Sequence, residues 1–69
     1  MECRVTLHPN GAEGPRTPEQ TVNAGSLIEA AEKLYGRPLH EQGANHQLRA
    51  VVRVIIAGKS SPKKSFFEK

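Results

Sequence analysis

Between Gln47 and Ala57 the chain runs without a glycine or proline, and its apolar side chains recur with period two. Leu48, Ala50, Val52, Val54 and Ile56 fall on one side of an extended backbone, and Arg49, Val51, Arg53 and Ile55 on the other. Such a segment is a strand. Its first face is wholly apolar and has to be covered. Its second face is half apolar and half cationic, which is unusual for a surface left to water. The chain is therefore expected to build a sheet around this strand, with one face buried and the other needing an explanation.

Two more strands are legible upstream. Met1 to Leu7 alternates, with Cys3, Val5 and Leu7 on one face and Glu2, Arg4 and Thr6 on the other. It ends at His8-Pro9-Asn10-Gly11, where proline removes a backbone donor and Asn-Gly favours a turn. Gly11 to Pro18 contains two glycines and two prolines and reads as a loop. Glu19 to Ala24 is a weaker strand with Val22 and Ala24 inward, and Pro18 confines it to a sheet edge or a strand start.

Ser26 to Gly36 reads as a helix. Ser26-Leu27-Ile28-Glu29 fits a capping box, in which the serine hydroxyl accepts from the Glu29 amide and the glutamate reaches back. Leu27, Ile28, Ala30, Ala31, Leu34 and Tyr35 share an arc of about 160° on a helical wheel, while Glu29, Glu32 and Lys33 point away. Glu29 and Lys33 stand at the i, i+4 spacing of a helical ion pair. Gly36 suits the left-handed C-terminal position, and Pro38 blocks continuation. Arg37 to His46 is polar and reads as a long loop.

These elements predict an α+β fold: a small three-stranded sheet in β-β-α-β order, one helix packed on one face, and a basic C-terminal tail. Placing the third strand beside the first gives the order 2-1-3, with antiparallel neighbours and a right-handed crossover from the second strand to the third. The arrangement resembles half of a ferredoxin-like domain or the start of a ubiquitin-like grasp. The chain lacks a terminal Gly-Gly, so a conjugated modifier is not implied. The expected organisation is a single domain over residues 1–58 and a flexible basic tail over residues 59–69.

Sixty-nine residues make a marginal core, rarely worth more than about 3–5 kcal/mol. A single cysteine, Cys3, excludes an intrachain disulfide and suits a reducing compartment. No signal-peptide pattern follows Met1, and the longest uncharged apolar run, Val54 to Ala57, falls far short of a membrane span of about 20 residues. A soluble cytoplasmic protein, or a nuclear one in a eukaryote, is expected, with no membrane partner. Charge is unevenly placed. Residues 1–58 hold six arginines and lysines against six glutamates, whereas residues 59–69 hold Lys59, Lys63, Lys64 and Lys69 against Glu68 alone. The net charge of +3 therefore resides in the last eleven residues, which suggests an anionic partner for them.

Little in the sequence suggests catalysis. There is no aspartate, no carboxylate pair at a chemically useful spacing, and no serine in a nucleophile-elbow motif. Ser26 is accounted for as a helix cap, and Cys3 as a small buried residue on the apolar side of its strand. His8, His40 and His46 with Cys3 match no compact zinc spacing. The glycines stand singly at turns and form no phosphate loop. No enzyme activity, metal, cofactor or small-molecule substrate is expected.

Two features remain. Ser61-Pro62-Lys63-Lys64, preceded by Lys59, resembles the repeat units of histone-like tails, which lie in A·T-rich minor grooves with lysines on phosphates. The Arg49, Val51, Arg53 and Ile55 face is the second feature, with Arg4 and Thr6 beside it. Nucleic-acid contacts are expected from Arg4, Arg49, Arg53, Lys59, Lys63 and Lys64. The alternative is a protein-interaction or assembly module, docking or dimerising through Val51 and Ile55. Phe66 and Phe67 are expected to cover those two residues, as a folded-back edge strand or across a dimer.

Overall fold

A computed structural model describes residues 1–69, apart from the side chain of Ser60. Strand β1 (Glu2–Leu7) leads through a loop to β2 (Gln20–Asn23), helix α1 (Leu27–Tyr35), a 3-10 turn (Asn45–Gln47) and β3 (Leu48–Ile56). Two short strands follow, β4 (Lys59–Ser60) and β5 (Lys64–Phe67). The sheet order begins β2-β1-β3, all antiparallel neighbours, as the sequence pattern implies. Beyond β3 the expectation of three strands falls short. β4 pairs with the end of β3 at Ile55 and Ile56, and β5 pairs with its beginning from Leu48 to Val52. Together they fill a fourth position in the sheet.

The C-terminal segment thus pairs with β3, as the folded-back edge strand that was one of the two expectations for Phe66 and Phe67. Its turn-back starts at Ala57 and Gly58, whose φ angles are 52° and 80°. Positive φ at both central residues defines the mirror-image turn that matches strand twist in a hairpin. The alanine there is strained, because its Cβ crowds the backbone in the left-handed region.

Helix α1 begins as its sequence dictates. The Ser26 hydroxyl accepts from the Glu29 amide at 3.2 Å, and Gly36 closes the helix at φ 87°, its N–H donating to the Glu32 carbonyl. A serine cap of this kind contributes about 1 kcal/mol. Lys33, expected to pair with Glu29, instead donates to the Asn23 carbonyl at 3.3 Å. The helix lays Ala30 and Ala31 against the sheet, both fully buried.

The core lies between α1 and the apolar face of β1, β3 and β5. Cys3, Val5, Ala50 and Val52 are wholly inaccessible, and Phe66 is 1% exposed. Phe66 is the largest side chain in this core, and it comes from the segment expected to be a tail. Opposite Ala50 in register, it faces the helix, not Val51 and Ile55. Phe67 turns to the other side and packs over Gly43, where an added Cβ would stand 2.7 Å from the Phe67 Cβ. Only glycine permits that approach. Among the described residues no helix is long and apolar enough to cross a membrane.

Candidate functional site: the uncovered sheet face

Alternation places Glu2, Arg4 and Thr6 of β1 and Arg49, Val51, Arg53 and Ile55 of β3 on the face that α1 does not cover. Arg4 lies directly opposite Arg53, and Thr6 opposite Val51. The expected cluster of Arg4, Arg53, Val51 and Ile55 is therefore brought together. No helix covers Val51 and Ile55, which are nevertheless partly buried. Arginine stems beside them shield apolar surface while the guanidinium heads stay at the boundary with water.

The arginines are not free. Glu19, just before β2, takes Arg53 through two hydrogen bonds, Nε to Oε2 at 2.8 Å and Nη2 to Oε1 at 2.7 Å. This bidentate geometry is the strongest form of arginine–carboxylate contact. Arg4 approaches the same carboxylate at 3.8 Å and Glu2 at 3.7 Å. The Arg53 hydrogen bonds hold the Glu19 carboxyl below its usual range, with Arg4 and Lys63 adding smaller attractions. The Arg4 Nε is buried without a hydrogen-bond partner.

Arg49 is committed in another way. Its Nη1 donates to the carbonyls of His46 and Leu48, both at 2.9 Å, and its Nε lies 3.6 Å from Glu68. The Glu68 carboxylate also accepts from the Tyr35 hydroxyl at 2.7 Å and from Arg37 at 3.5 Å. Tyr35 is the main reason the Glu68 carboxyl is held low, while burial and the same hydrogen bond push the tyrosine up. Arg49 thus clamps the start of β3 to the end of the chain.

The expected lysines separate. Lys64 pairs with Glu41 at 2.6 Å at the sheet edge. Among the described residues no carboxylate lies within ion-pair distance of Lys59 or Lys63. On the face itself, Arg4, Arg49, Arg53 and Lys63 stand against Glu2, Glu19 and Glu68, an excess of one cation. Sequence reading found the arginines but missed their carboxylates. Glu19 belongs to a loop, and Glu68 follows a strand that the pattern does not reveal. Of the apolar residues expected at the site, Phe66 is unavailable because it is in the core, and Phe67 is half-buried over Gly43.

Elsewhere, Cys3 is fully buried and reduced, and His8 is 8% exposed with an unpartnered Nδ1. Among the described residues there is no group of three or more His, Cys or Glu side chains arranged to hold a metal ion. Comparison with protein families, curated proteins and solved structures gives no match. The chemistry of the site must therefore speak for itself.

Proposed function

We propose that this chain is a non-catalytic binding module whose uncovered sheet face docks on another protein surface. One observation carries the reading: Val51 and Ile55 lie only partly buried within a nearly charge-balanced frame of paired arginines. A phosphate-binding surface needs cations free to exchange their counterions. Here three arginines are engaged by carboxylates within the sheet. Apolar centres rimmed by arginine are instead the anatomy of protein interfaces. Replacing Val51 and Ile55 together by threonine, which keeps the β-branched shape, should lower the thermal unfolding midpoint but leave the protein folded by circular dichroism, while abolishing association. Self-association is read by sedimentation equilibrium at millimolar concentration, and docking on another protein by cross-linking from a photoreactive residue at position 51. A strictly monomeric protein giving no site-specific cross-link would count against this reading.

A second reading, contact with nucleic acid, rests on Lys59 and Lys63, the cations of the β4 region without a carboxylate partner among the described residues. Titration with short single-stranded and duplex DNA and RNA tests it. Binding through this pair should weaken steeply with salt, with a slope of about two phosphates. Apolar docking on Val51 and Ile55 would show little salt dependence.

A further inference from the structure

The two edges of the sheet are finished differently. At the far edge, the β5 backbone is capped by the loop after α1: His40 and Phe67 exchange hydrogen bonds, each at 2.7 Å. The β2 edge has no such cover. Its backbone orientation follows from the hydrogen-bond phase with β1. Met1 and Ala24 exchange both N–H···O bonds, at 2.8 and 3.1 Å, so they are a hydrogen-bonded pair of the antiparallel ladder. Such pairs alternate with non-bonded ones. In this register Cys3–Val22 and Val5–Gln20 are then the bonded pairs, and the backbones of Thr21 and Asn23 face away from β1. Both Thr21 groups and the Asn23 N–H have no partner among the described residues, while the Asn23 carbonyl accepts from Lys33 at 3.3 Å.

A cleft of about 390 Å³ runs along this bare edge. Thr21, Val22 and Asn23 form one wall and Lys33 and Leu34 of α1 the other. Val22 and Leu34 are partly buried and make its apolar lining. Its one charged group is the Lys33 ammonium, held only by a backbone carbonyl.

We infer that this groove binds an extended acidic peptide, which adds to the sheet as a fifth column beside β2. Unpaired donors and acceptors two residues apart are what an added strand satisfies, and a pocket beside the edge selects its side chains. The groove asks for an aliphatic side chain between Val22 and Leu34 and, two residues along on the same face, a carboxylate for Lys33. Charge disfavours a second copy here, since a symmetric β2–β2 pairing would bring two Lys33 ammonium groups to one seam. This site is separate from the uncovered face and does not depend on it.

The test is an NMR amide titration of the full chain with an acetylated and amidated eight-residue peptide, Thr-Val-Thr-Glu-Thr-Val-Thr-Glu, which presents valine and glutamate on one face. Shifts should be confined to Thr21, Val22, Asn23, Lys33 and Leu34, and the Thr21 and Asn23 amides should gain protection from exchange. A peptide with lysine replacing glutamate should bind at least tenfold more weakly. One methylated at alternate backbone nitrogens should not bind. Lys33→Gln should weaken binding about fivefold, the size expected of one partly exposed charge. Thr21→Pro should abolish it with the fold retained, because proline is tolerated at an edge position whose N–H faces outward. Indifference to peptide charge, shifts that map to Val51 and Ile55, or the same shifts arising from protein concentration alone would each overturn the inference.

Discussion

The two faces of β3 are built from the same strand and meet opposite fates. On the helix side Ala50 and Val52 are wholly inaccessible, and Leu48 and Val54 are 8% and 7% exposed. On the other side Val51 and Ile55 alternate with arginines and are only partly buried. From Leu48 to Val54 the inner face is held by apolar packing that excludes water, but Ile56, expected to be covered with them, lies past the helix and is 68% exposed. Carboxylates recruited from outside the strand hold the outer one, Glu19 from before β2 and Glu68 from after β5. Burial at about 25 cal/mol per Å² favours the first strongly, whereas partly exposed ion pairs add little to stability. The outer face therefore contributes less to folding than its number of contacts suggests, and it is the face open to change by a partner.

The largest expected effect lies on the inner face. Phe66→Ala should cost about 3–5 kcal/mol, the usual loss for a buried phenylalanine. That is comparable to the whole stability of a chain this size, so the variant should be largely unfolded at 25 °C by circular dichroism. Phe67→Ala, on the opposite side of the same strand, should leave the protein folded with a lowered urea midpoint. Equal damage from both variants would break the contrast between the faces.

The helix, its serine cap and the 2-1-3 strand order were legible because each rests on local signals: period, cap and turn residues. The fourth sheet position was legible only as one of two alternatives, a folded-back edge strand at Phe66 and Phe67, and not in its extent or register. Lys59 to Lys64 shows no alternation, and two adjacent phenylalanines cannot share a face, so Phe66 could not be assigned to the core by pattern. Their pairing depends on β3 having a second free edge, which only the assembled sheet reveals. The arginine cluster was visible for the same reason as the strand that carries it. Its neutralisation was not, because Glu19 and Arg53 are 34 residues apart in the chain. The β2 groove depends on the phase of hydrogen bonding with β1, which leaves no mark on side-chain pattern.

A smaller effect should come from His8, which follows β1 and is 8% exposed. Burial, with Arg16 nearby, lowers its pKa from the usual 6.5, against a weaker opposing hydrogen bond with the Gly11 backbone. The unfolded chain then takes up the proton more readily than the folded one. The stability associated with a neutral His8 is present in full above pH 6.5 and declines as the pH falls through the lowered value. The lowered carboxyls of Glu19 and Glu68 act in the same direction but at more acid pH, below their usual 4.5. Urea midpoints measured between pH 7.5 and 5 should fall for the parent and stay flat for His8→Gln. A parallel fall in both would assign the acid sensitivity to other groups.

The smallest change in stability and the sharpest change in character are expected from Glu19→Gln. The carboxylate is solvent-exposed, so removing its charge should shift the urea midpoint only slightly, and less still in high salt. Its loss, however, releases both Arg53, which it holds by two hydrogen bonds, and Arg4 at 3.8 Å. The face would gain two cations, Arg53 and Arg4, beside Lys63, which has no carboxylate within ion-pair distance among the described residues. The variant should therefore bind short single-stranded DNA more tightly than the parent at 50 mM salt, with a salt slope larger by about two. Arg53→Gln in the same background should remove about half of that gain. The comparison also separates the two functional readings. If the parent protein already binds DNA with the steeper slope, Glu19 does not neutralise the arginines in solution, and the uncovered face is a phosphate-binding surface. If only the variant does, the carboxylate is what keeps this face suited to protein.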